Sequence, residues 1–456
     1  MARFLWEDGY RVSVCYAGSL WDGVPDVHAM STECARQYEL WTQAQGVTKG
    51  ALSDLKQKGT VVVDALLGIG ADRPLGESMA AWITAVNQAR EGGVKVMAVD
   101  VPTGVHANTG AVLGVALRAD VTATIAYPKT GLLLYPAAIC VGRLAVCDIG
   151  VGTEALTEGV RSYYLDKADL AALRSRPPYS HKGTFGTVLV IGGCEGMSGA
   201  AYLAASSAYR CGAGLVKVLS DEQSRLPLQI GLPEAVFCSF DKKSGPSTAR
   251  LCSLIDSADC VVLGCGLGTS RRAERLVRRV IRLCQKPLVL DADALNVIAA
   301  HPEWRGEIAS RTALTVLTPH LKEAAALLQL ASAAEVAPRL LDAADELSAL
   351  TGAICVLKDA RSVVSDGRTS YIQTHGNSGM ASGGAGDCLA GVIGSLLAQH
   401  RQEPTDAVLT CARGVLLHAL AGDVAAEQMG QHGMLASDLS KALAEVLRRG
   451  GAFCES

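Results

Sequence analysis

Short apolar runs that stop at Gly, Asp or Pro recur along the whole chain. They read "TVVVDALLG" (60–68), "VKVMAVDVPTG" (94–104), "TVLVIGG" (187–193), "CVVLGCGLG" (260–268), "PLVLDADALN" (287–296), "LTVLTPH" (314–320) and "AICVLKD" (353–359). Runs of this length without polar alternation are what parallel strands covered on both faces look like. Small-residue and amphipathic segments between them supply the covering helices, so the fold class is α/β. Ligands of such sheets lie outside the carboxyl ends of the strands, and the residues just after each run are the candidates for chemistry. At 456 residues the chain exceeds what one core usually holds, roughly 250–300 residues, so two domains are expected. The pattern loosens over 150–182, where Pro177 and Pro178 block a helix. The expected domains are 1–155 and 160–456, neither repeating the other.

Forty-two Lys and Arg stand against 45 Asp and Glu with no block of like charge, which gives nucleic acid or a membrane surface little to hold. A small-molecule partner is expected. The 15 cysteines include no CxxC pair and no cluster at zinc spacing, so they read as small buried hydrophobes in a reducing cytoplasm. The N-terminal stretch is broken by Glu7 and Asp8 and lacks a signal-peptide core, and no long uninterrupted apolar run spans a bilayer.

The stretch "GMASGGAGDCLAG" (379–391) places glycines and one carboxylate directly ahead of an apolar helix. Backbone N–H groups around Gly386, continued by the helix N-terminus, can stabilise negative charge on a transferred phosphoryl group. Asp387 would then take the proton of an attacking hydroxyl. Its plainer role is an N-cap, common for Asp. Two further Gly-rich turns, after "TVLVIGG" and within "LGCGLGTS", are suited to phosphates or are simply tight connections.

"HKGTFGTVLVIGG", "GAGLVKV", "GCGLG", "LVLDADALN", "LTPHLKEAAALL", "VLKDARSVV" and "GNSGMASGGAGDCLAGVIGSLLAQ", in this order over 181–450, resemble the ADP/ATP-dependent NAD(P)H-hydrate dehydratases, a branch of the ribokinase-like fold. The resemblance implies that Asp387 is the acid or base addressing the hydrated nicotinamide and that Gly386 lines the nucleotide phosphates. It implies that Lys358, Asp359, Ala360, Arg361 and Ser362 form the nucleotide-binding run, with Lys358 neutralising phosphate charge. Ala200, Gly266 and His320 fall on positions that hold the dinucleotide substrate NAD(P)HX. Taken singly, Lys358 also reads as a solvated strand-end charge, His320 as a helix-start neighbour and Ala200 as packing. Hydroxide leaves such a ring poorly. Phosphorylating the hydroxyl first turns it into phosphate, so ADP or ATP is the implied co-substrate, with Mg2+ bridging its phosphates. The dehydrated form would be the S-hydrate.

"VVVDALLGIGADRPLGE" and "VMAVDVPTGVHANTGAVLGVALRADVTATIAYPKTGLLLYPAA" resemble the companion NAD(P)HX epimerase domain, a Rossmann-like three-layer fold. By that resemblance Asp64 and Thr103 hold K+, a hard cation suited to oxygen donors. Asp100 is the base at the epimerising centre or, on the residues alone, a turn acid before Pro102, and Lys129 is its charge partner. Gly68, Ile69, Gly70, Ala71, Asp72, Arg73 and Pro74 wrap the dinucleotide. The family's "N-x-G-G-D-G" phosphate loop has no counterpart ahead of "YRVSVCYAG", so this domain is expected to be incomplete. That leaves either a start assigned too late or a vestigial epimerase with impaired activity. The resemblance also implies a homo-oligomer. The rival enzyme is a small-alcohol kinase of the hydroxymethylpyrimidine or hydroxyethylthiazole type, which shares GAGD. The rival of another class is a binding module without turnover.

Overall fold

Every apolar run singled out above forms a parallel strand in the computed structural model, which describes residues 1–18, 20–21, 24–49, 55, 59–152, 159–173, 176–240, 245–399 and 406–450. The chain divides into two units, Met1–Ala155 and Leu156–Ser456.

In the first unit, β1 (Ser13–Cys15) pairs in parallel with β2 (Val47–Lys49). A separate four-stranded parallel sheet runs β3 (Val61–Asp64), β4 (Lys95–Val99), β5 (Val121–Ile125) and β6 (Arg143–Cys147). Helix α1 (Glu77–Glu91) packs Ile83 and Val86 with Val96, Ala98 and Leu117. Covering on both faces fails at β3, an edge strand of this sheet, where Val61 and Val63 alternate outward to 60% and 40% exposure. Its last residue, Asp64, is buried.

The second unit is built on ten strands in the order β10-β9-β8-β11-β12-β13-β14-β15-β16-β7. These are β7 (Ser162–Tyr164), β8 (Thr187–Ile191), β9 (Leu215–Asp221), β10 (Val236–Phe240), β11 (Cys260–Leu263), β12 (Leu288–Leu290), β13 (Thr315–Leu317), β14 (Ile354–Leu357), β15 (Val363–Ser365) and β16 (Ser370–Ile372). All pairs from β10 to β14 are parallel, while β15 is antiparallel to both its neighbours. The chain leaves β8 in one direction through β9 and β10, then returns past it to β11 and onward. That reversal falls between β8 and β11, and sheets of this kind take their ligands at the carboxyl ends of the strands at such a point.

Strand β7 falls inside the stretch whose pattern appeared loose. It pairs with β16, and Tyr163 lies with its ring 5.6 Å from that of Tyr371. Ladder bonds and a ring contact hold this edge strand, so it needs no apolar run.

Helices α2 (Ser198–Arg210), α5 (Ala385–Gln399), α6 (Ala407–Met429) and α7 (Ala436–Arg449) pack around the sheet's central strands, and α3 (Asp293–Ala300) and α4 (Leu321–Leu327) follow β12 and β13. Among the described residues α6 alone is long and apolar enough to cross a bilayer, but most of it is buried in this core. Helix α5 is buried continuously from Cys388 to Ala398. Two glycines let it lie that close: a Cβ on Gly391 would stand 2.0 Å from the Ala204 carbonyl oxygen of α2, and one on Gly394 would stand 2.5 Å from Val262 of β11. Replacing a mid-helix Gly with Ala ordinarily stabilises by about 1 kcal/mol through helix propensity. At Gly391 the facing atom is backbone, so overpacking of about 1–3 kcal/mol wins. Gly391→Ala is expected to lower the denaturation midpoint; a rise would contradict the packing described.

Candidate active site

The carboxyl ends of β11 to β14 deliver four side chains to one spot. Asp291, following β12, is 1% exposed. Its Oδ1 accepts from Lys358 Nζ at 2.6 Å and from Thr318 Oγ1 at 2.6 Å, and Cys265 Sγ lies 3.8 Å from its Oδ2. Ala292, next in sequence, is held at φ +48°, a conformation few L-residues adopt, as the chain turns from β12 into α3. Burial pulls the Lys358 ammonium down, but Asp291 and Glu323 outweigh it and carry its pKa upward.

The first turn of α5 closes over this cluster. Gly384, at φ +98°, precedes the helix and packs where a Cβ would meet Leu203 at 2.4 Å. Asp387 is the third helical residue, beyond the capping position, so the N-cap reading does not apply. Lys358 Nζ lies 3.1 Å from where a Cβ of Gly386 would stand, so the ammonium fills the space that a side chain would take. Asp387, Asp291 and Cys265 bring ligand-type atoms within 4.8 Å of one another. Burial first and Asp291 second push Asp387 up to about 6, with the Cys265 thiol and Lys358 pulling the other way. A carboxylate poised near neutrality suits proton transfer. Buried His418 is held at about 4, chiefly by burial, and as a neutral ring it donates Nε2–H to the Ala385 carbonyl at 2.9 Å, which braces the turn.

The Cys265–Asp291–Asp387 trio fits a hard divalent ion poorly. Burial drives the Cys265 thiol far above its usual pKa, and Asp291 already has its cation in Lys358. Mg2+ prefers an octahedron of oxygens, mostly water and phosphate.

His320 caps α4. Its Nδ1 accepts from the Lys322 and Glu323 amides at 3.1 Å each, while Glu323 Oε2 accepts from the His320 amide at 2.9 Å. Strand pairing sets His320 beside Lys358, whose amide donates to the Pro319 carbonyl at 2.7 Å. Burial raises Glu323 to about 7, against the pull of Lys358.

Residues 359–362 form the turn from β14 to β15, where Ser362 Oγ donates to the Asp359 carbonyl at 3.2 Å; Ala360 and Arg361 lie within it. Gly266, after β11, meets Ala200 of α2, whose Cβ lies 2.9 Å from where a Gly266 Cβ would stand. The structure thus brings Asp387, Gly386, Lys358 and His320 into one cluster and pairs Ala200 with Gly266 at the switch point. Sequence reasoning assigned no role to Asp291, Cys265, Thr318 or Glu323. Asp291 had a signal, being an acid that directly follows an apolar run.

In the first unit, Thr103 donates its amide to Asp64 Oδ2 at 2.8 Å and its hydroxyl to Oδ1 at 2.7 Å. Burial raises the Asp64 pKa despite these bonds. Asp100 sits at φ +66° after β4 and is ion-paired with Lys129 Nζ, which also bonds Thr124 Oγ1 at 3.1 Å and the Ile125 carbonyl at 2.8 Å. Burial pushes Asp100 upward, but Lys129 and the Ile125 amide overcome it and hold the carboxyl low. The loop 68–74 begins near this pair: a Cβ on Gly68 would lie 3.9 Å from Asp100 Oδ2, and the Ala71 amide bonds the Gly68 carbonyl at 3.3 Å. Ile69 is exposed, and Gly70, Asp72, Arg73 and Pro74 complete the loop before α1.

The family model described as NAD(P)H-hydrate dehydratase matches residues 188–445, and the one described as YjeF-related protein N-terminus matches 1–131. The bifunctional NAD(P)H-hydrate repair enzyme Nnr of Thermofilum pendens is 39% identical over 85% of this chain and 73% of its own length. The enzyme of that name from Escherichia coli is 36% identical over 91% and 77%. The crystal structure of the ADP/ATP-dependent NAD(P)H-hydrate dehydratase of Bacillus subtilis, co-crystallised with ATP/Mg2+, superposes with a TM-score of 0.54 at 26% identity, covering 63% of this chain and 98% of that one.

The electrostatics give two titrations. The Asp387 carboxyl, followed by carbon-13 NMR, should titrate at about 6. Asp291→Asn removes a repelling carboxylate and releases Lys358, so both changes move that midpoint down; an upward move would refute the assigned causes. Lys129→Met should raise the Asp100 midpoint, because the largest downward influence is lost.

Proposed function

The chain belongs to the family of bifunctional NAD(P)H-hydrate repair enzymes, and from that premise we propose that its second unit dehydrates the S-form of NAD(P)H hydrate with ADP or ATP as phosphoryl donor. The observation that carries this reading is Asp387, raised to about 6, beside Gly386 and Lys358 at the start of α5. The nucleotide's terminal phosphates meet the α5 amides and the Lys358 ammonium, with the 359–362 turn alongside. Ala200, Gly266 and His320 hold the dinucleotide so that its hydroxyl faces Asp387. Asp387 takes the hydroxyl proton as that oxygen bonds to phosphorus and the bridging P–O bond breaks. Phosphate then leaves with the C–O electrons while the neighbouring carbon loses a proton, which restores the ring double bond. Mg2+ would travel on the nucleotide phosphates, neutralising charge there, since the donors at this spot form no oxygen cage.

The first unit is the epimerase half, in which Asp100 handles the proton at the epimerising centre and Lys129 keeps it ionised. Asp64 and Thr103 suit K+: both offer oxygen, and among the described residues no Lys or Arg is one of the groups that shift the buried Asp64 carboxyl. The small-alcohol kinase reading has less support, because it leaves the first unit without a role.

Purified protein incubated with NADHX and ADP or ATP should regain reduced-nicotinamide absorbance. The rate should fall as the pH drops through about 6, where protonation removes the base. Asp387→Ala should lose about 10²–10⁴-fold in turnover with nucleotide binding largely kept. No recovery with either donor would overturn the assignment.

A further inference from the structure

The turn that follows β11 has a loose backbone held from outside. Gly264, Gly266 and Gly268 take φ values of +125°, +62° and +73°, so three of the five residues 264–268 have no side chain to restrict them. Within the turn the bonds run from backbone to backbone: the Cys265 carbonyl accepts the Gly193 amide at 2.8 Å, and the Gly264 carbonyl accepts the Leu267 amide at 3.0 Å. The exit depends on a side chain. Asp293, in the first turn of α3, accepts the Gly268 amide on Oδ2 at 2.8 Å, across 25 residues of sequence. A charged acceptor makes this bond stronger than its neutral neighbours. Gly266 is buried against α2, where a Cβ would stand 2.5 Å from the Met197 carbonyl oxygen and 2.9 Å from the Ala200 Cβ. A shift of the turn therefore reshapes the surface that Gly266 and Ala200 share.

We propose that Asp293 is a positioning residue that clamps the 264–268 turn through the Gly268 amide, so that Gly266 and Ala200 present a preformed seat to the dinucleotide substrate. This rests on the dehydratase reading above. Asp293 acts through the turn and not by touching substrate. Its charge has a separate effect: burial and Asp291 come first in raising Asp387 and Glu323, and Asp293 adds to both. Bond and charge can be removed separately. Asn keeps an oxygen for the Gly268 amide without the charge, and Ala keeps neither. Ser suits a helix start, but its hydroxyl is too short to reach that amide.

Nitrogen-15 NMR of full-length, glycine-labelled protein at pH 8 gives two readouts: hydrogen exchange at the Gly268 amide, and NADHX affinity followed at the Gly266 amide without nucleotide. Asp293→Ala and Asp293→Ser should each speed Gly268 exchange about ten- to hundredfold and weaken NADHX binding about three- to tenfold. Exchange in the β8 and β12 amides should stay as in wild type, which general loss of structure would not allow. Asp293→Asn should bind NADHX within about twofold of wild type, although it lowers the Asp387 midpoint from about 6 as Asp293→Ala does. Unchanged exchange or unchanged NADHX affinity in both Asp293→Ala and Asp293→Ser would overturn the proposal. So would a wild type whose Gly266 signal ignores NADHX. If Asp293→Asn bound as weakly as Asp293→Ala, the charge rather than the bond would be responsible, and positioning would be refuted. Binding without turnover in the wild type would strike the dehydratase reading alone, since both readouts here need no turnover.

Discussion

Three acidic side chains, Asp291, Glu323 and Asp387, draw on one ammonium, Lys358 Nζ. Asp291 holds it at 2.6 Å, so the other two acids are left under-compensated in a buried setting and rise to about 6 and about 7. The unequal division of one positive charge gives the site its acid–base character. It also ties the site to the fold, since Lys358 directly follows β14, Asp291 directly follows β12 and Asp387 lies in the first turn of α5. Breaking a buried pair from one side leaves the other charge stranded, typically costing about 3–5 kcal/mol. The seven parallel strands and the glycine-lined seat of α5 hold these three elements in register.

The parallel strands were legible because burial on both faces leaves an uninterrupted apolar run that ends in a turn residue. Strand β7 was not, because Ser162–Tyr164 gains its place from pairing and a ring contact, neither of which marks a sequence. Asp387 could be singled out by its glycines, but whether it caps α5 depended on where that helix begins. Gly384, with its positive φ, precedes the helix and leaves Asp387 inside the first turn. Asp291 lay in a quoted run, yet its partner is 67 residues away in sequence and only the sheet order brings them together. The His320–Glu323 box has the spacing of an ordinary capping box, and its chemical content appears only once Nδ1 is seen accepting backbone hydrogens.

The first unit uses the same device with different chemistry. Asp64 ends a parallel strand and Asp100 follows one, but Asp100 has Lys129 and is held ionised, whereas Asp64 is buried with, among the described residues, Thr103 and backbone amides to bond it and rises. One is a carboxylate paired with an ammonium, the other a pair of buried oxygens held by Thr103. The family resemblance had singled out Asp64 with Thr103 and Asp100 with Lys129, and the opposite shifts follow from burial and from the fold of Lys129 back onto β5.

Whether phosphorylation precedes elimination can be read from the fate of one oxygen atom. NADHX carrying oxygen-18 in its ring hydroxyl should, on full conversion by the protein with ADP or ATP, release the label in inorganic phosphate, because the C–O bond breaks after that oxygen has joined phosphorus. Label recovered in water instead would mean that hydroxide leaves directly, and the role assigned to Asp387, Gly386 and Lys358 in phosphoryl transfer would be wrong.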